Sequence, residues 1–266
     1  MNKLAKFILP TVLVALIVCL TVNAAPVNAA TVALTATEDT YITVGLMTGH
    51  YNYGVSPAIF VGDFGGVTYV GLVRFDLSSI PAGSTINSAF LNLFGIGFIG
   101  VAQTGRPYNV LRVTESWVEG TANAAPETGS CDWFDREHGT LSWTNAGGTS
   151  SSEHFAFAPV PPVLPGLMTW TVTDIVKDWI EGGKANYGFL ITDGGPGPPG
   201  GATDFASSES PDAPKPLLEI DYSLPRPVGG YLVPVNKLTL LAPYLALVGL
   251  VGVVTVAVAA TRRRKP

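Results

Sequence analysis

Cysteine and charged residues are both scarce in this chain. Its 266 residues include 2 Cys, and only 13% are charged. Cys19 lies in a segment that we expect to be removed, which leaves Cys131 as the only cysteine of the mature chain. A lone thiol excludes an intramolecular disulfide, so stability must come from a buried core, with a bound metal as a further source. We expect Cys131 to be a partly buried thiol; the alternative is an intermolecular bridge or a reactive thiol.

Basic residues are few outside the two ends of the chain. All 20 Asp and Glu lie between Glu38 and Asp221. Of the 15 Lys and Arg, 9 remain when Lys3, Lys6 and residues 262–265 are set aside, which leaves a net charge of −11. An acidic surface without a basic stripe repels phosphates, which excludes nucleic acid as a partner. The acidic excess favours cation binding or simple solubility.

The N-terminal residues have the pattern of an export signal. Lys3 and Lys6 precede an apolar stretch at residues 7–22, and small residues follow it up to Ala30. This order of a basic start, a short apolar core and a small-residue cleavage site predicts a signal peptide over residues 1–30. The alternative is an uncleaved membrane anchor. The sequence has no Asn-x-Ser/Thr sequon, so N-glycosylation is not expected.

A second apolar segment lies near the C-terminus. Residues 238–260 form 23 positions without a charge, and a helix of that length crosses a hydrocarbon core of about 30 Å. The basic tail at 261–266 is expected to stay cytoplasmic. The sequence therefore predicts a single-pass membrane protein with residues 31–224 outside the cell and a linker at 225–237. Its tail resembles those of archaeal surface proteins; sortase-type anchoring is the alternative, but the Thr-Gly of a sorting motif is absent.

The part of the chain between these segments is typical of a β-sandwich. Glycine and proline are plentiful, with 30 and 21 residues, and they separate short runs in which apolar and polar residues alternate. Such runs lie at residues 69–77, 89–94, 111–113 and 218–222. A period of two, broken by turn residues, is typical of half-buried antiparallel strands. We therefore predict an all-β fold, an antiparallel, jelly-roll-like β-sandwich forming one domain.

One short helix is predicted within this β-rich domain. It begins at Thr173 or Asp174, either of which can cap its N-terminus, and it ends at Gly182-Gly183. Apolar residues at 175, 176, 179 and 180 form a stripe that should face the sheet. Long loops are expected at about 121–167 and 193–202, and the second is so rich in Gly and Pro that it should be mobile.

Several segments carry a resemblance to a known family. Residues 74–86, RFDLSSIPAGSTI, closely resemble the RFDLSSIPAGATI signature of DNRLRE domains, which are related to methanogen disaggregatases. Other segments agree in order: Glu38–Ile42, Asn52–Gly54, Ala89–Leu93, Val113–Gly120, Trp143–Gly148, Val172–Trp179, Asn186–Phe189 and Ser207–Glu209. The resemblance implies a β-sandwich of extracellular and surface proteins, some of which look like carbohydrate-binding modules. It does not imply one shared ligand.

Aromatic residues in polar loops are the first candidates for a binding site. Sugars stack their apolar C–H faces on flat rings, and loops on a rigid sandwich commonly hold function. Trp117, Trp170 and Trp179 lie on apolar faces of predicted elements and should belong to the core. The candidate ligand-binding residues are therefore the loop aromatics Trp133, Trp143, Tyr51 and Tyr53; the alternative is that these rings pack beneath their own loops.

Calcium is the second candidate ligand, because hard cations need several oxygen atoms. Glu38 and Asp39 lie near the first predicted strand and Asp221 lies in the last, and the terminal strands of sandwiches often pair. We therefore predict calcium ligands at Glu38, Asp39 and Asp221, with Asp63 as a further candidate. The alternative is that these are solvated surface carboxylates.

Catalysis is the third possibility, and the sequence offers little for it. His50, His138 and His154 are scattered without metal-ligand spacing, so a zinc site is not expected. Asp132, Asp135, Glu137 and His138 form a dense group, which is more typical of a polar loop than of a catalytic centre. We predict a non-catalytic cell-surface protein that binds glycan or cell-envelope polysaccharide. The alternatives are a structural or adhesive domain with a protein partner, and a polysaccharide-degrading enzyme.

Overall fold

The computed structural model describes residues 29–194 and 200–225, together with Ala242 and Ala246. In chain order the elements are β1 (Ala29–Thr35), β2 (Glu38–Val44), β3 (Ala58–Phe64), β4 (Val67–Arg74), β5 (Thr85–Gly100), β6 (Pro107–Val113), β7 (Asp135–Glu137), β8 (Leu141–Ser142), β9 (Ser150–Pro159), β10 (Gly166–Thr171), α1 (Thr173–Ile180), β11 (Phe189–Asp193), β12 (Gly201–Ala206) and β13 (Leu217–Ser223). Every strand pair is antiparallel. The predicted all-β class with one short helix is confirmed.

The strands form one branched sheet and a small hairpin. The main path runs β1-β13-β5-β12-β3-β4-β11-β6-β9, with β10 paired to β5 and β2 paired to β4, while β7 and β8 pair separately. Both β4 and β5 therefore have three partner strands, so the sheet branches and encloses a continuous apolar core. This architecture is β-sandwich-like, as the sequence predicts. The first and last described strands are neighbours, with Ala29 opposite Ser223.

Alternation along the strands explains how the core forms. In β13, Leu218 and Ile220 are 0% exposed and Tyr222 is 8% exposed, while the intervening Glu219 faces solvent. Successive side chains of a strand point to opposite faces, so this sequence buries one face and solvates the other. Each large apolar side chain that is removed from water contributes about 1.5–3 kcal/mol before entropy is counted.

Helix α1 forms where the sequence predicts it, but its N-terminus is held differently. The N-cap position is Val172, and no side chain caps it. Instead the Thr173 hydroxyl accepts a hydrogen bond from the Ala89 amide at 3.0 Å, which ties the helix start to β5. Trp179 is buried as expected. Gly183, just after the helix, has φ +66°, a left-handed conformation that glycine adopts without strain.

The long loop predicted at 121–167 is wrong in part, because β7, β8 and the ten-residue β9 lie within it. Strand β9 buries the small side chains of Ala156 and Ala158, while Phe155 and Phe157 are 58% and 68% exposed. The larger apolar residues of β9 thus face outward. A sequence analysis that expects the larger apolar residues of a strand to be buried therefore does not identify β9.

Several predictions concern residues outside the described ranges. The signal peptide is covered only at Ala29 and Ala30, which already belong to β1, and the membrane segment at 238–260 only at Ala242 and Ala246. Most of the Gly- and Pro-rich stretch, residues 195–199, is likewise outside them. None of the helices in the described part of the chain combines the length and the apolar character of a membrane span.

Candidate functional site

Asn52 joins two chain segments at one end of the domain. Its side-chain nitrogen donates to the carbonyls of Glu119 and Cys131, at 2.5 and 3.1 Å. Its side-chain oxygen accepts hydrogen bonds from the amides of Gly54 and Ala122. Asn52 is 1% exposed, so one buried amide fixes the turn after β2 against the long segment after β6.

Four side chains from these segments form a group that we call the His–Asp cluster: His50, Asp132, Asp135 and His138. Asp132 is 1% exposed and lies at its centre. One carboxylate oxygen accepts the amides of Phe134 and Asp135, at 2.8 and 2.7 Å. The other lies 3.1 Å from His50 Nδ1 and 2.7 Å from His138 Nδ1. The buried carboxylate therefore accepts two backbone amides on one oxygen and lies against two imidazole nitrogens with the other.

Sequence reasoning missed this pairing of histidines. His50 and Asp132 are 82 residues apart, and neither lies in a metal-binding or catalytic spacing. Only the dense group around Asp132 gave a signal, and that signal did not include His50.

An exposed aromatic ring lies beside the His–Asp cluster. Phe134 is 42% exposed, and its ring centroid is 4.9 Å from that of His50, whose side chain is 53% exposed. Gly49 lies directly against the phenyl ring, because a Cβ there would approach Phe134 Cε2 to 2.5 Å. We call Phe134 and His50 the ring pair. The phenyl ring presents a flat apolar face, and the His50 ring is tilted 44° from it at the edge of the His–Asp cluster.

The four aromatic residues predicted to bind ligand are all less exposed than Phe134 and pack against the core. Trp143 is 5% exposed and donates its indole N–H to the Asp132 carbonyl at 2.9 Å. Tyr53 is 8% exposed and stacks on Tyr41 with ring centroids 4.1 Å apart. Trp133 and Tyr51 are half-buried against the core. This packing matches the alternative in which loop aromatics support their own loops.

Three carboxylates gather elsewhere in the domain and form what we call the acidic cluster: Asp39, Glu119 and Glu209. Asp39 lies in β2, Glu119 in the segment after β6, and Glu209 in the turn after β12. Their ligand atoms all lie within 4.8 Å of one another. The Asp39 amide donates to Glu119 Oε1 at 2.7 Å, and Asp39 Oδ2 accepts the Ser208 amide at 2.9 Å.

Negative charge in the acidic cluster is not balanced by a direct cationic contact. In residues 29–194 and 200–225, no Lys or Arg forms an ion pair with these three carboxylates. Burial, reinforced by the charge of Glu209, raises the pKa of Asp39 to about 7. Burial and the neighbouring charge of Asp39 raise the pKa of Glu119 to about 7. Both carboxyls therefore resist ionisation in the absence of a positive partner.

The calcium ligands predicted from the sequence are not assembled into one group. Glu38 pairs with Arg74, and Asp221 accepts a hydrogen bond from Asn87 at 2.9 Å. Asp63 accepts the Thr68 hydroxyl at 2.6 Å. The terminal strands do pair, but the strand beside β13 is β1, whereas the strand carrying Glu38 and Asp39 pairs with β4. Asp39 therefore meets Glu119 and Glu209 instead.

Comparison with known proteins supports a carbohydrate-binding-like domain. Residues 30–133 match the family model of carbohydrate-binding module family 96. None of the curated proteins matches the chain. The matched range includes Asp39, His50, Glu119 and Asp132, and it ends one residue before Phe134. The resemblance to DNRLRE domains stays a prediction.

Proposed function

We propose that this protein is a non-catalytic glycan-binding protein that contacts polysaccharide with the ring pair, Phe134 and His50. The observation that carries the proposal is this exposed pair, in which Phe134 contacts His50 of the His–Asp cluster. His50 lies within the range that matches carbohydrate-binding module family 96, and Phe134 is the residue directly after it. Trp133, which the sequence analysis named as a candidate, is half-buried, and the neighbouring Phe134 is 42% exposed.

The chemistry of the surface suits a sugar. The phenyl ring supplies a flat apolar face for sugar C–H groups, and the imidazoles and Asp135 supply donors and acceptors for hydroxyls. His138 and Asp135 are held on Asp132 and on each other, with 3.4 Å between His138 Nδ1 and Asp135 Oδ2. Their positions are therefore set before a ligand arrives, which lowers the entropy cost of binding.

Asp39 of the acidic cluster is not placed to act as a catalytic acid on a polymer. The pKa of Asp39 is raised to about 7, as for a general acid. A general acid must however reach the glycosidic oxygen, and Asp39 is 1% exposed. A polymer cannot contact that side chain in this structure.

The proposal includes a location at the cell surface. The predicted signal peptide at 1–30 and membrane segment at 238–260 support a single-pass protein whose domain faces outward and meets cell-envelope or extracellular polysaccharide. The second candidate function is a structural or adhesive domain with a protein partner. The burial of four tryptophans, Trp117, Trp143, Trp170 and Trp179, favours it, because these rings serve packing and not ligand contact.

Affinity electrophoresis tests the proposed function. The full chain in non-ionic detergent is run through gels that contain acidic or neutral polysaccharide. We expect retardation by at least one polymer, and we expect Phe134→Ala to weaken binding by about tenfold, since one stacking contact contributes about 1.4 kcal/mol. The matched control is Phe157→Ala, which removes a 68% exposed phenylalanine from β9 and should bind normally.

Two results would contradict the proposal. Equal retardation of Phe134→Ala and the unaltered chain would show that the ring pair does not contact the polymer. Free migration of the unaltered chain in every gel would show that the protein does not bind those polymers, and it would favour the structural role.

A further inference from the structure

The acidic cluster contains a buried atom that the described protein atoms leave unsatisfied. Asp39 is 1% exposed, and its Oδ1 atom has no hydrogen-bond partner in the described part of the chain. Burying a polar atom without a partner costs about 1–3 kcal/mol, and an ionised oxygen costs more. Native structures rarely keep such an atom without a ligand, a proton or a solvent molecule to satisfy it.

The charges of the acidic cluster also favour a positive partner. Three carboxylates converge within 4.8 Å from segments that are remote in sequence. Arg74 is engaged elsewhere, because it pairs with Glu38 and lies over the Trp117 ring at 5.4 Å. Arg74 acts on Glu119, and Lys215 acts on Asp39, only through longer-range attraction. Three close carboxylates with no direct counter-ion repel one another when they are ionised, and a proton or a bound cation between them relieves that repulsion.

From the unsatisfied Asp39 oxygen and the convergence of Glu119 and Glu209, we infer that the acidic cluster binds a divalent cation, and that this cation is calcium. All three side chains offer oxygen, which hard cations prefer. Calcium–oxygen distances of about 2.3–2.6 Å place two opposite ligands about 4.6–5.2 Å apart, and the ligand atoms here lie within 4.8 Å. The inference is independent of the proposed glycan binding.

The surrounding hydrogen bonds hold the ligands in place for such an ion. Ser208 donates its amide to Asp39 Oδ2 and its hydroxyl to Glu209 Oε1, at 2.9 and 2.8 Å. The Asp39 amide fixes Glu119 in turn. Bonds of this kind orient metal ligands and are part of most metal sites. The cation would join β2, the segment after β6 and the turn after β12.

The His–Asp cluster is a less suitable calcium site and provides a control. Its central carboxylate already accepts two backbone amides and lies against two imidazole nitrogens, so its oxygens have partners within the protein. It also offers nitrogen ligands, which calcium does not prefer. Removing a charge from that cluster should leave calcium binding unchanged.

Calorimetric titration of the full chain in detergent with calcium chloride tests the inference. We expect one ion to bind with a dissociation constant of about 1 mM or below, as in extracellular modules, and more tightly than magnesium. Asp39→Asn should weaken binding by about 100-fold, and Glu209→Gln by about tenfold. The matched control Asp135→Asn should bind calcium normally. Circular dichroism shows whether each variant is folded, and the exposed Glu209→Gln keeps the test valid if Asp39→Asn does not fold.

Three results would contradict the inference. No heat and no change in thermal midpoint for the unaltered chain at about 10 mM calcium would mean that a shared proton satisfies the cluster. Unchanged calcium binding in folded Asp39→Asn and Glu209→Gln would place the ion elsewhere. Loss of binding in Asp135→Asn alone would assign it to the His–Asp cluster.

Discussion

At the scale of single residues, Cys131 is chemically protected by its position. It is 0% exposed, its amide donates to the Val118 carbonyl, and its own carbonyl accepts from Asn52. Burial raises the pKa of the thiol far above its ordinary value. Since the thiolate is the reactive form, the folded protein should not react with a thiol reagent, and full labelling should follow only on unfolding in guanidinium.

Absorbance from a chromogenic disulfide reagent measures this reactivity. Cys131→Ser is the control, because any labelling that remains in it reports Cys19 in chains that keep the signal segment. Stoichiometric labelling of native Cys131, or a disulfide-linked dimer on a non-reducing gel, would contradict the prediction.

The roles of single residues could be predicted from the sequence only where a periodic pattern placed them. Trp117, Trp170 and Trp179 were expected in the core, and they are 2%, 0% and 7% exposed. Loops have no such periodicity, so the burial of Trp143 and the exposure of Phe134 could not be read from spacing. Contacts such as that of His50 with Asp132 form only after folding joins two remote segments.

At the scale of elements, Asp178 joins α1 to two strands. Its Oδ2 atom lies 3.2 Å from Arg112 Nε in β6, 3.3 Å from His154 Nδ1 in β9 and 3.1 Å from Lys184 Nζ. Arg112 is 9% exposed, and the Asp178 carboxylate is the anion that balances its buried charge. Asp178→Asn should lower the free energy of unfolding by about 3 kcal/mol, because it leaves a buried cation unpaired.

Denaturant unfolding checks the size of this effect and its dependence on pH. Burial opposes ionisation of Asp178, but Lys184 and His154 outweigh it and lower the pKa of the carboxyl below its ordinary value of 3.8. A lowered folded pKa stabilises the protein above the unfolded value, so the difference between the two chains should shrink as pH falls below about 4. Asp174→Asn, on the exposed side of the same helix, should change stability by less than about 1 kcal/mol. An equal loss in both variants would contradict this role of Asp178.

Elements were predictable where large apolar side chains alternate or recur with helical spacing. Strand β13 and helix α1 meet that condition, and both form as expected. Strand β9 does not, because it buries alanines and exposes phenylalanines. The cap of α1 was mispredicted for a related reason: the Thr173 hydroxyl has an alternative partner in the Ala89 amide, and only the folded sheet supplies it.

At the scale of the whole molecule, pairing joins segments that are far apart in sequence. Strand β1 pairs with β13, and β3 pairs with β12. The sequence analysis placed Asp39 in the strand beside the last one, but that place belongs to β1, so Asp39 lies near Glu119 and Glu209. An error of one strand in topology changes every long-range neighbour, and alternation within a strand carries no information about which strand lies beside it.

The same topology makes the last strand essential for folding. Strand β13 is the partner of β1 and also covers residues 85–92 of β5. A chain that ends at Pro216 would leave β1 without its partner, uncover one edge of β5 and remove the buried Leu218 and Ile220 from the core. Each lost side chain of this size costs about 2–5 kcal/mol when a cavity remains, and a typical domain has only about 5–15 kcal/mol in total. A chain that ends at Pro225 keeps every described strand.

We therefore expect thermal unfolding, followed by circular dichroism, to show a cooperative transition for the longer chain and none for the shorter one. A cooperative transition of similar midpoint in the chain ending at Pro216 would show that β1 and β5 close the core without β13.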